Sequence, residues 1–186
     1  MNIGNSVVLN TLGVPVINSF EHLCEQLSVT EQLLYFLTYK KKYCYFEKKI
    51  PKKDKTERTL NVPSLSLKVV QRWILKEILE KIYVSKQAMA FIPHKNGLRE
   101  NAERHKKNIF LLEMDITNFF GTITEQQVYR LFCNIGYNSK VAGILANLCT
   151  YDGYLPQGAV TSPYIANLIC YHMDARINGY CSRKDI

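Results

Sequence analysis

Apolar residues recur every three or four positions in three stretches of the first half of the chain, as they do along one face of an α-helix. Residues 18–27 and 30–38 show this spacing, and Thr30 stands where a helix N-cap is expected. Residues 65–82 show it over a longer stretch, and Ser64 precedes them as a second candidate cap. The pattern therefore predicts two short helices followed by one long helix.

Between these helices the pattern changes to that of a β-hairpin. Residues 43–50 and 58–62 are short segments of aromatic and aliphatic side chains, and a polar turn over residues 51–55 separates them. Pro63 ends the second segment, since proline lacks the N–H that a strand would use for pairing. We expect two antiparallel strands joined by a polar turn.

The second half of the chain alternates between helical spacing and one continuous apolar run. Residues 97–105 are predicted to form a short helix, and residues 108–115 a buried strand that ends in a carboxylate. Helices are predicted over residues 124–135, 139–150 and 162–177, from their spacing and from the capping residues at their starts. The chain is thus predicted to contain both helices and strands.

Charge points to an anionic partner. The chain has 186 residues, 47% of them hydrophobic, and a formal net charge of +8. Residues 40–58 hold nine basic side chains against three acidic ones, and Tyr43, Tyr45 and Phe46 lie among them. This mixture is typical of surfaces that bind phosphates and touch bases or sugars, with a solvated face or a membrane surface as alternatives. The lysines that we expect to contact nucleic acid are Lys48, Lys49, Lys52 and Lys53.

Cysteine spacing and the N-terminus exclude several classes of protein. Six cysteines are scattered without a C-x-x-C pair or clustered histidines, so neither a zinc site nor a disulfide framework is predicted. The N-terminus lacks the pattern of a secretory signal, and no apolar run is long enough to span a membrane. We expect a soluble cytoplasmic protein with reduced thiols and no membrane partner.

Asp115 is the carboxylate whose position suggests chemistry. It ends the apolar run and precedes two adjacent rings, Phe119 and Phe120. Nucleotidyl transfer uses two Mg²⁺ ions about 4 Å apart, which need carboxylates held on rigid elements such as strand ends. Asp115 is therefore a candidate Mg²⁺ ligand. An aspartate that only caps a turn is the alternative, and both rings could belong to the core.

A turn at residues 155–158 is the second candidate site. Pro156 fixes the turn, Gly158 allows another molecule to approach the backbone, and Gln157 carries both a donor and an acceptor. Ser162 and Pro163 follow at the start of a predicted helix. Alone, the segment is only a turn with a polar residue.

Segments 111–120 and 155–163 together resemble two consecutive active-site motifs of reverse transcriptases. For the first motif, the resemblance implies Mg²⁺ ligands at Asp115 and Ile116. It also implies that Phe120 lies under the sugar of the incoming nucleotide and excludes a 2′-hydroxyl group, whereas Phe119 packs inward.

For the second motif, the resemblance implies that Gln157 contacts the incoming deoxynucleoside triphosphate (dNTP). Gly158 would let the template and the nucleotide lie against the backbone. Gly121 and Val160 depart from the family, in which proline is frequent at both positions, and this puts local rigidity in doubt.

The third motif of that family, a Tyr-Ala-Asp-Asp hairpin with two further aspartates, does not occur in the 186 residues. We therefore expect this chain to be inactive alone. We also expect lower stability than in a complete enzyme, and apolar surface where further strands would pair.

A short motif favours one branch of the family. Residues 90–105 contain Asn-Ala-x-x-His, at Asn101 and His105, which resembles a signature of retron reverse transcriptases. The resemblance implies that both residues serve binding of a structured noncoding RNA that acts as template and primer. A helix cap and a structural histidine are the alternatives. Further implied partners are an RNA–DNA hybrid and an effector protein in bacterial anti-phage defence.

The same resemblance suggests three phosphate contacts before the first motif. Arg58, on the predicted hairpin, is the candidate for gripping the triphosphate, with an exposed arginine at a strand start as the alternative. Lys68 and Arg72 share one face of the predicted long helix and are weaker candidates.

The expected architecture is the α+β right-hand fold of polymerases. Residues 1–24 would form an N-terminal extension, residues 25–107 the fingers with the basic hairpin, and residues 108–186 the first part of the palm. The expected function is RNA-directed DNA synthesis of retron type. A non-catalytic nucleic-acid-binding module and a reverse transcriptase of the group II intron class are the alternatives.

Overall fold

The structure is a computed structural model that describes residues 3–51, 57–93 and 96–184. Within these ranges it contains ten α-helices and one two-stranded antiparallel sheet. The elements are α1 Ile3–Thr11, α2 Phe20–Leu27, α3 Glu31–Tyr39, β1 Tyr45–Pro51, β2 Glu57–Pro63, α4 Leu65–Trp73, α5 Gly97–His105, α6 Phe119–Thr122, α7 Glu125–Ile135, α8 Ser139–Cys149, α9 Ser162–Ile169 and α10 Tyr171–Arg183.

Local signals explain the first helices. The side chain of Thr30 accepts a hydrogen bond from the backbone N–H of Leu33 at 3.3 Å, which confirms it as the N-cap of α3. Ser19 caps α2 in the same way through the N–H of His22. The predicted helices over residues 18–27 and 30–38 are therefore confirmed.

The predicted long helix begins as expected, since Ser64 caps α4, but its geometry changes further on. Residues Ile74–Ile78 form a π-helical turn, and Leu79–Lys81 a 3₁₀ turn. The buried side chains here are those of Ile74, Ile78 and Leu79. In a π-helical turn, residues five apart such as Ile74 and Leu79 lie closer to one face than they do in an α-helix, in keeping with the burial of both.

The hairpin has the predicted strands. Its register pairs Tyr45 with Pro63 and Lys48 with Leu60, and apart from Tyr45 the residues of β1 are exposed. Residues 52–56, which include most of the predicted turn, lie outside the described residues. The hairpin is thus anchored at its base, with β1 exposed beyond Tyr45 and β2 half-buried or buried from Leu60 onwards.

The prediction of a buried strand over residues 108–115 is wrong. Those residues have no regular secondary structure, and Ile109 and Phe110 are 90% and 89% exposed. A strand needs a neighbour for its N–H and C=O groups, and in the described part of the chain the only sheet pairs β1 with β2. Without such a neighbour, this run has no regular structure and its side chains are exposed.

Helix α8 is the centre of the core, because most of its residues are buried and it packs against α2, α3, α4 and α7. The neighbouring α7 has the predicted capping box, in which Thr124 and Gln127 exchange hydrogen bonds. It ends at Gly136, whose φ of 123° suits glycine.

The N-terminal segment belongs to the same core. The sequence pattern did not predict α1, yet Leu9 of that helix is buried, as is Ile17 beyond it. The hydroxyl group of Tyr137 donates to the carbonyl oxygen of Pro15 at 2.9 Å and ties this segment to the end of α7. The core therefore contains residues from the predicted N-terminal extension, fingers and partial palm.

The last predicted helix, over residues 162–177, is divided at Cys170 into α9 and α10. Helix α9 is largely buried, whereas α10 contributes no buried residue. None of the helices in the described ranges combines the length and the apolar character needed to cross a membrane.

Candidate active site

A cleft of about 690 Å³ lies between strand β2, the segment that follows Asp115, and the turn at residues 155–158. It brings together residues far apart in sequence. Its lining consists of Glu57, Arg58, Thr59, Asp115, Ile116, Thr117, Asn118, Phe119, Phe120 and Gln157.

Asp115 is exposed and lines this cleft together with Gln157. It has no hydrogen bond or ion pair with any other described residue, so its oxygens are open to a ligand. Asp115 is therefore open to solvent and lies in the same cleft as Gln157, as a metal-binding carboxylate at this site would need to be. The buried strand expected to carry it is absent. A left-handed turn at Asn118 (φ 51°) follows and leads into α6.

The two rings after Asp115 are not distinguished by burial. Phe119 and Phe120 are both half-buried, both pack against the core and both line the cleft, with ring centroids 5.6 Å apart. A Cβ atom at Gly121 would overlap the side chain of Asn118. Glycine at position 121 thus lets the Asn118 side chain keep its place beside the turn.

Arg58 and Gln157 are in direct contact across the cleft. The Nε of Arg58 donates to Oε1 of Gln157 at 2.8 Å, and the backbone N–H of Asn61 donates to the carbonyl oxygen of Gln157 at the same distance. The turn is therefore fixed to strand β2 through both its backbone and its side chain.

Gly158 is needed for this packing. Its φ of 114° is rare for residues with a side chain, and an added Cβ would lie 3.0 Å from the carbonyl oxygen of Asn61. Close approach of the hairpin backbone is thus one reason for glycine here, in addition to the approach of a template or nucleotide that the resemblance implies.

Gln71 is a residue that sequence reasoning did not single out. Its side chain is buried, donates to the Tyr45 hydroxyl group and to the Leu148 carbonyl oxygen at 3.0 Å each, and accepts from the N–H of Val160 at 3.4 Å. It joins the hairpin base, the central helix and the segment after the Gln157 turn. The available signal was a polar residue on the apolar face of a predicted helix.

The basic hairpin presents its lysines to solvent. Lys48 is exposed, and Lys49 forms an exposed ion pair with Glu57 at 3.0 Å. Lys52 and Lys53 lie outside the described residues.

The other predicted contacts lie away from the cleft. Lys68 is half-buried and Arg72 exposed on α4, and neither lines the cleft. Asn101 and His105 are exposed on α5, where the Asn108 amide lies 3.4 Å from the ring of His105. The structure thus brings together Arg58, the segment at Asp115 and Gln157, and leaves these four elsewhere.

The described residues do not form a metal site by themselves. No group of three or more His, Cys, Asp or Glu side chains among them could hold a metal ion. The cleft has two carboxylates, of Asp115 and Glu57, and Glu57 is paired with Lys49. Asp115 and the carbonyl oxygen of Ile116 are oxygen donors of the kind Mg²⁺ prefers, but they are too few for a two-metal centre.

Comparison with known proteins decides the family. The family model for reverse transcriptases, described as RNA-dependent DNA polymerases, matches residues 50–185, which include Arg58, Asp115 and Gln157. The chain belongs to the reverse transcriptase family. This confirms the family and the α+β polymerase fold suggested by the two motifs.

Similar reverse transcriptases come from retrons. The chain is 36% identical to the Retron Ec86 reverse transcriptase of Escherichia coli over 186 residues, which cover 98% of this chain and 57% of that protein. It is 28% identical to the Retron Mx162 reverse transcriptase of Myxococcus xanthus, covering 92% of this chain and 40% of that protein. The chain thus spans about half the length of the curated relatives it matches.

Proposed function

We propose that this chain forms the fingers and the first part of the palm of a retron-type RNA-directed DNA polymerase. The proposed division is an N-terminal extension over residues 1–24, fingers over residues 25–107 and a partial palm over residues 108–186. The observation that carries the proposal is the shared cleft. Arg58, Asp115 and Gln157 line it although they are far apart in sequence.

In this proposal the cleft binds the incoming dNTP. The Arg58 guanidinium faces the triphosphate, because a planar group with several N–H donors suits phosphate oxygens. The Phe120 ring lies against the sugar, and Gln157 contacts the nucleotide above Gly158. A volume of about 690 Å³ falls within the range of small-molecule sites.

Asp115 and the Ile116 carbonyl oxygen are proposed as the first ligands of a Mg²⁺ site. When bound, the metal would stabilise the negative charge that develops during phosphoryl transfer. The described residues supply too few carboxylates for a two-metal centre, so by themselves they are expected to bind Mg²⁺ weakly.

The proposed template and primer is a structured noncoding RNA, bound through Lys48, Lys49, Lys52 and Lys53, with Asn101 and His105 on a separate helix. Lys68 and Arg72 are weaker candidates for phosphate contact. The setting is the cytoplasm of a bacterium in anti-phage defence, with an effector protein as partner. The support is the similarity to retron reverse transcriptases and the exposed basic hairpin.

The test is a fusion of this chain to the part of the Escherichia coli relative that it does not cover. The fusion should incorporate dNTPs on an RNA template, and Asp115→Asn should abolish incorporation while RNA affinity is retained. Glu113→Gln is the matched control, because it removes an exposed carboxylate two residues away. Wild-type incorporation by the Asp115→Asn fusion would refute the assignment.

The same fusion separates the alternatives. RNA binding without incorporation would favour a non-catalytic binding module. Incorporation primed on a group II intron RNA, but not on a retron RNA, would favour the group II intron class.

A further inference from the structure

A second cleft, of about 580 Å³, lies between the end of α3 and the turn at residues 151–154. Tyr39, Lys40, Lys42 and Tyr43 line one side and Asn147 contributes to the lining from α8. It shares no lining residue with the cleft at Asp115. Its chemistry therefore calls for a separate explanation.

Two tyrosine rings at this cleft each contact another aromatic ring and remain largely exposed. The ring centroid of Tyr39 lies 4.8 Å from that of Tyr35, and Tyr43 stacks on Phe36 at 6.5 Å with an angle of 22° between the planes. Tyr43 is 61% exposed although the ring is large and apolar. Rings that contact a neighbouring ring and keep much of their area exposed resemble platforms for flat ligands.

The charges at the cleft differ in their roles. Lys41 is half-buried, and its Nζ lies 3.4 Å from a carboxylate oxygen of Glu125 and 3.3 Å from the hydroxyl group of Thr150. This lysine is therefore paired within the protein. Lys40 and Lys42 are exposed, and neither has an ion pair within the described ranges. The ammonium group of Lys42 lies over the face of the Tyr43 ring, 5.1 Å from its centroid, so a base that stacks on this face would take the place of the lysine, which is free to turn towards a phosphate. One acidic side chain, that of Asp152, also lines the cleft.

We propose that this second cleft binds an unpaired stretch of RNA, with bases stacked on Tyr39 and Tyr43 and phosphates held by Lys40 and Lys42. The choice of RNA rests on the proposed function, in which the free protein meets its RNA template before any DNA exists. Alternation of supported rings and exposed cations is the arrangement that single-strand binding requires, because stacking tolerates any base and lysines follow the backbone.

The experiment measures binding of a fluorescent oligouridylate of about ten nucleotides to the 186-residue chain by anisotropy at several salt concentrations. Tyr43→Leu should weaken binding by on the order of tenfold, the range found when one stacked ring is removed. Tyr43→Trp should retain affinity, because the ring and not the hydroxyl group is used. Tyr83→Leu is the matched control, since Tyr83 is also 61% exposed and packs edge-on against Tyr171.

The lysines are tested by the salt dependence. Lys40→Gln with Lys42→Gln should reduce the slope of log K against log salt concentration by about 0.7 for each phosphate that the variant no longer neutralises. Lys81→Gln with Lys140→Gln removes the same charge from exposed positions elsewhere and should leave most of the slope intact.

Unchanged RNA affinity in Tyr43→Leu overturns the inference, whether the rings then serve a protein partner or none. Tighter binding of the equivalent DNA strand than of RNA overturns it as well. Failure of the fusion enzyme to incorporate dNTPs, with Tyr43-dependent RNA binding retained, would instead remove the proposed polymerase function and leave this RNA site in place.

Discussion

The side chains of Arg58 and Gln157, 99 residues apart in sequence, are joined by a hydrogen bond of 2.8 Å from Nε to Oε1. The contact links strand β2 to the turn that follows Leu155, and Asn61 adds a backbone hydrogen bond beside it. Both side chains proposed to receive the nucleotide are thus held in place before any ligand binds. Such preorganisation lowers the entropic cost of binding.

The Arg58–Gln157 contact should contribute little to folding, because Arg58 is exposed. A double-mutant cycle with Arg58→Ala and Gln157→Ala, read by urea unfolding, should give a coupling below about 1 kcal/mol. The exposed Arg99–Glu103 pair, at 2.9 Å, serves as the control cycle. A coupling of several kcal/mol would mean that the contact is mainly structural and would weaken its nucleotide role.

Gly158→Ala should destabilise the chain by about 1–3 kcal/mol, because alanine would be strained at a φ of 114° and its Cβ would press on the Asn61 carbonyl oxygen. Thermal or urea unfolding measures the loss. Gly143→Ala is the control, since it lies within α8 with nothing within 4 Å of an added Cβ, and should be neutral or stabilising. Equal effects of the two substitutions would contradict the role given to Gly158.

Sequence reasoning was most accurate where local chemistry determines structure. The capping residues Thr30, Ser64 and Thr124 mark the starts of helices, since each side chain satisfies a backbone N–H within the same turn. The alternation of apolar segments and turn residues likewise gave the hairpin. These features need no information from distant parts of the chain.

The predictions that failed concern contacts between segments that lie far apart in the sequence. The run at residues 108–115 has the composition of a buried strand, but composition does not supply the neighbouring strand. That Asp115 and Gln157 line one cleft was expected only from the family resemblance, because spacing along the chain cannot show which turns lie close together. Gln71 was missed for the same reason, since its three hydrogen-bond partners lie on separate segments.

The apolar surface at Ile109 and Phe110 should bind a hydrophobic dye such as ANS. Ile109→Lys with Phe110→Lys should reduce dye fluorescence while changing the free energy of unfolding by less than about 1 kcal/mol, because both side chains are almost fully exposed. Leu37→Ala, at a buried position, is the contrast and should cost about 2–5 kcal/mol. A comparable loss in the lysine variant would show that this segment is packed in solution.

Stability should fall as the pH rises above about 9. Burial raises the pKa of the Cys149 thiol to about 12, so the native state keeps a proton that the unfolded state, with a pKa near 9.0, loses. The contribution is complete below pH 9 and is lost towards pH 12, by on the order of 1 kcal/mol at pH 10. Burial also raises the pKa of Tyr45 and Tyr137, with the same sign, whereas burial lowers the pKa of Lys41, with the opposite sign.

Urea unfolding at pH 8 and pH 10 measures this dependence. Cys149→Ala should show a smaller decrease between the two pH values than the wild-type chain, because the titrating thiol is removed. The cavity that the substitution creates affects both measurements alike. Cys181→Ala is the control, since that thiol is only half-buried. An unchanged decrease in Cys149→Ala would mean that this thiol does not contribute to the alkaline transition.

The two described lysines of the hairpin should differ in their effect on RNA binding. Lys49 is neutralised in part by Glu57 at 3.0 Å, whereas Lys48 has no ion pair with a described residue. Lys48→Gln should therefore reduce the slope of log K against log salt concentration by up to about 0.7, and Lys49→Gln by less. Glu57→Gln should raise RNA affinity because it releases the Lys49 charge, and Lys140→Gln on α8 should have no such effect. Anisotropy titrations with labelled RNA at several salt concentrations provide all four values. Equal slopes in the wild type and Lys48→Gln would place this lysine on a solvated face, because a cation in contact with a phosphate must release a counterion when it binds.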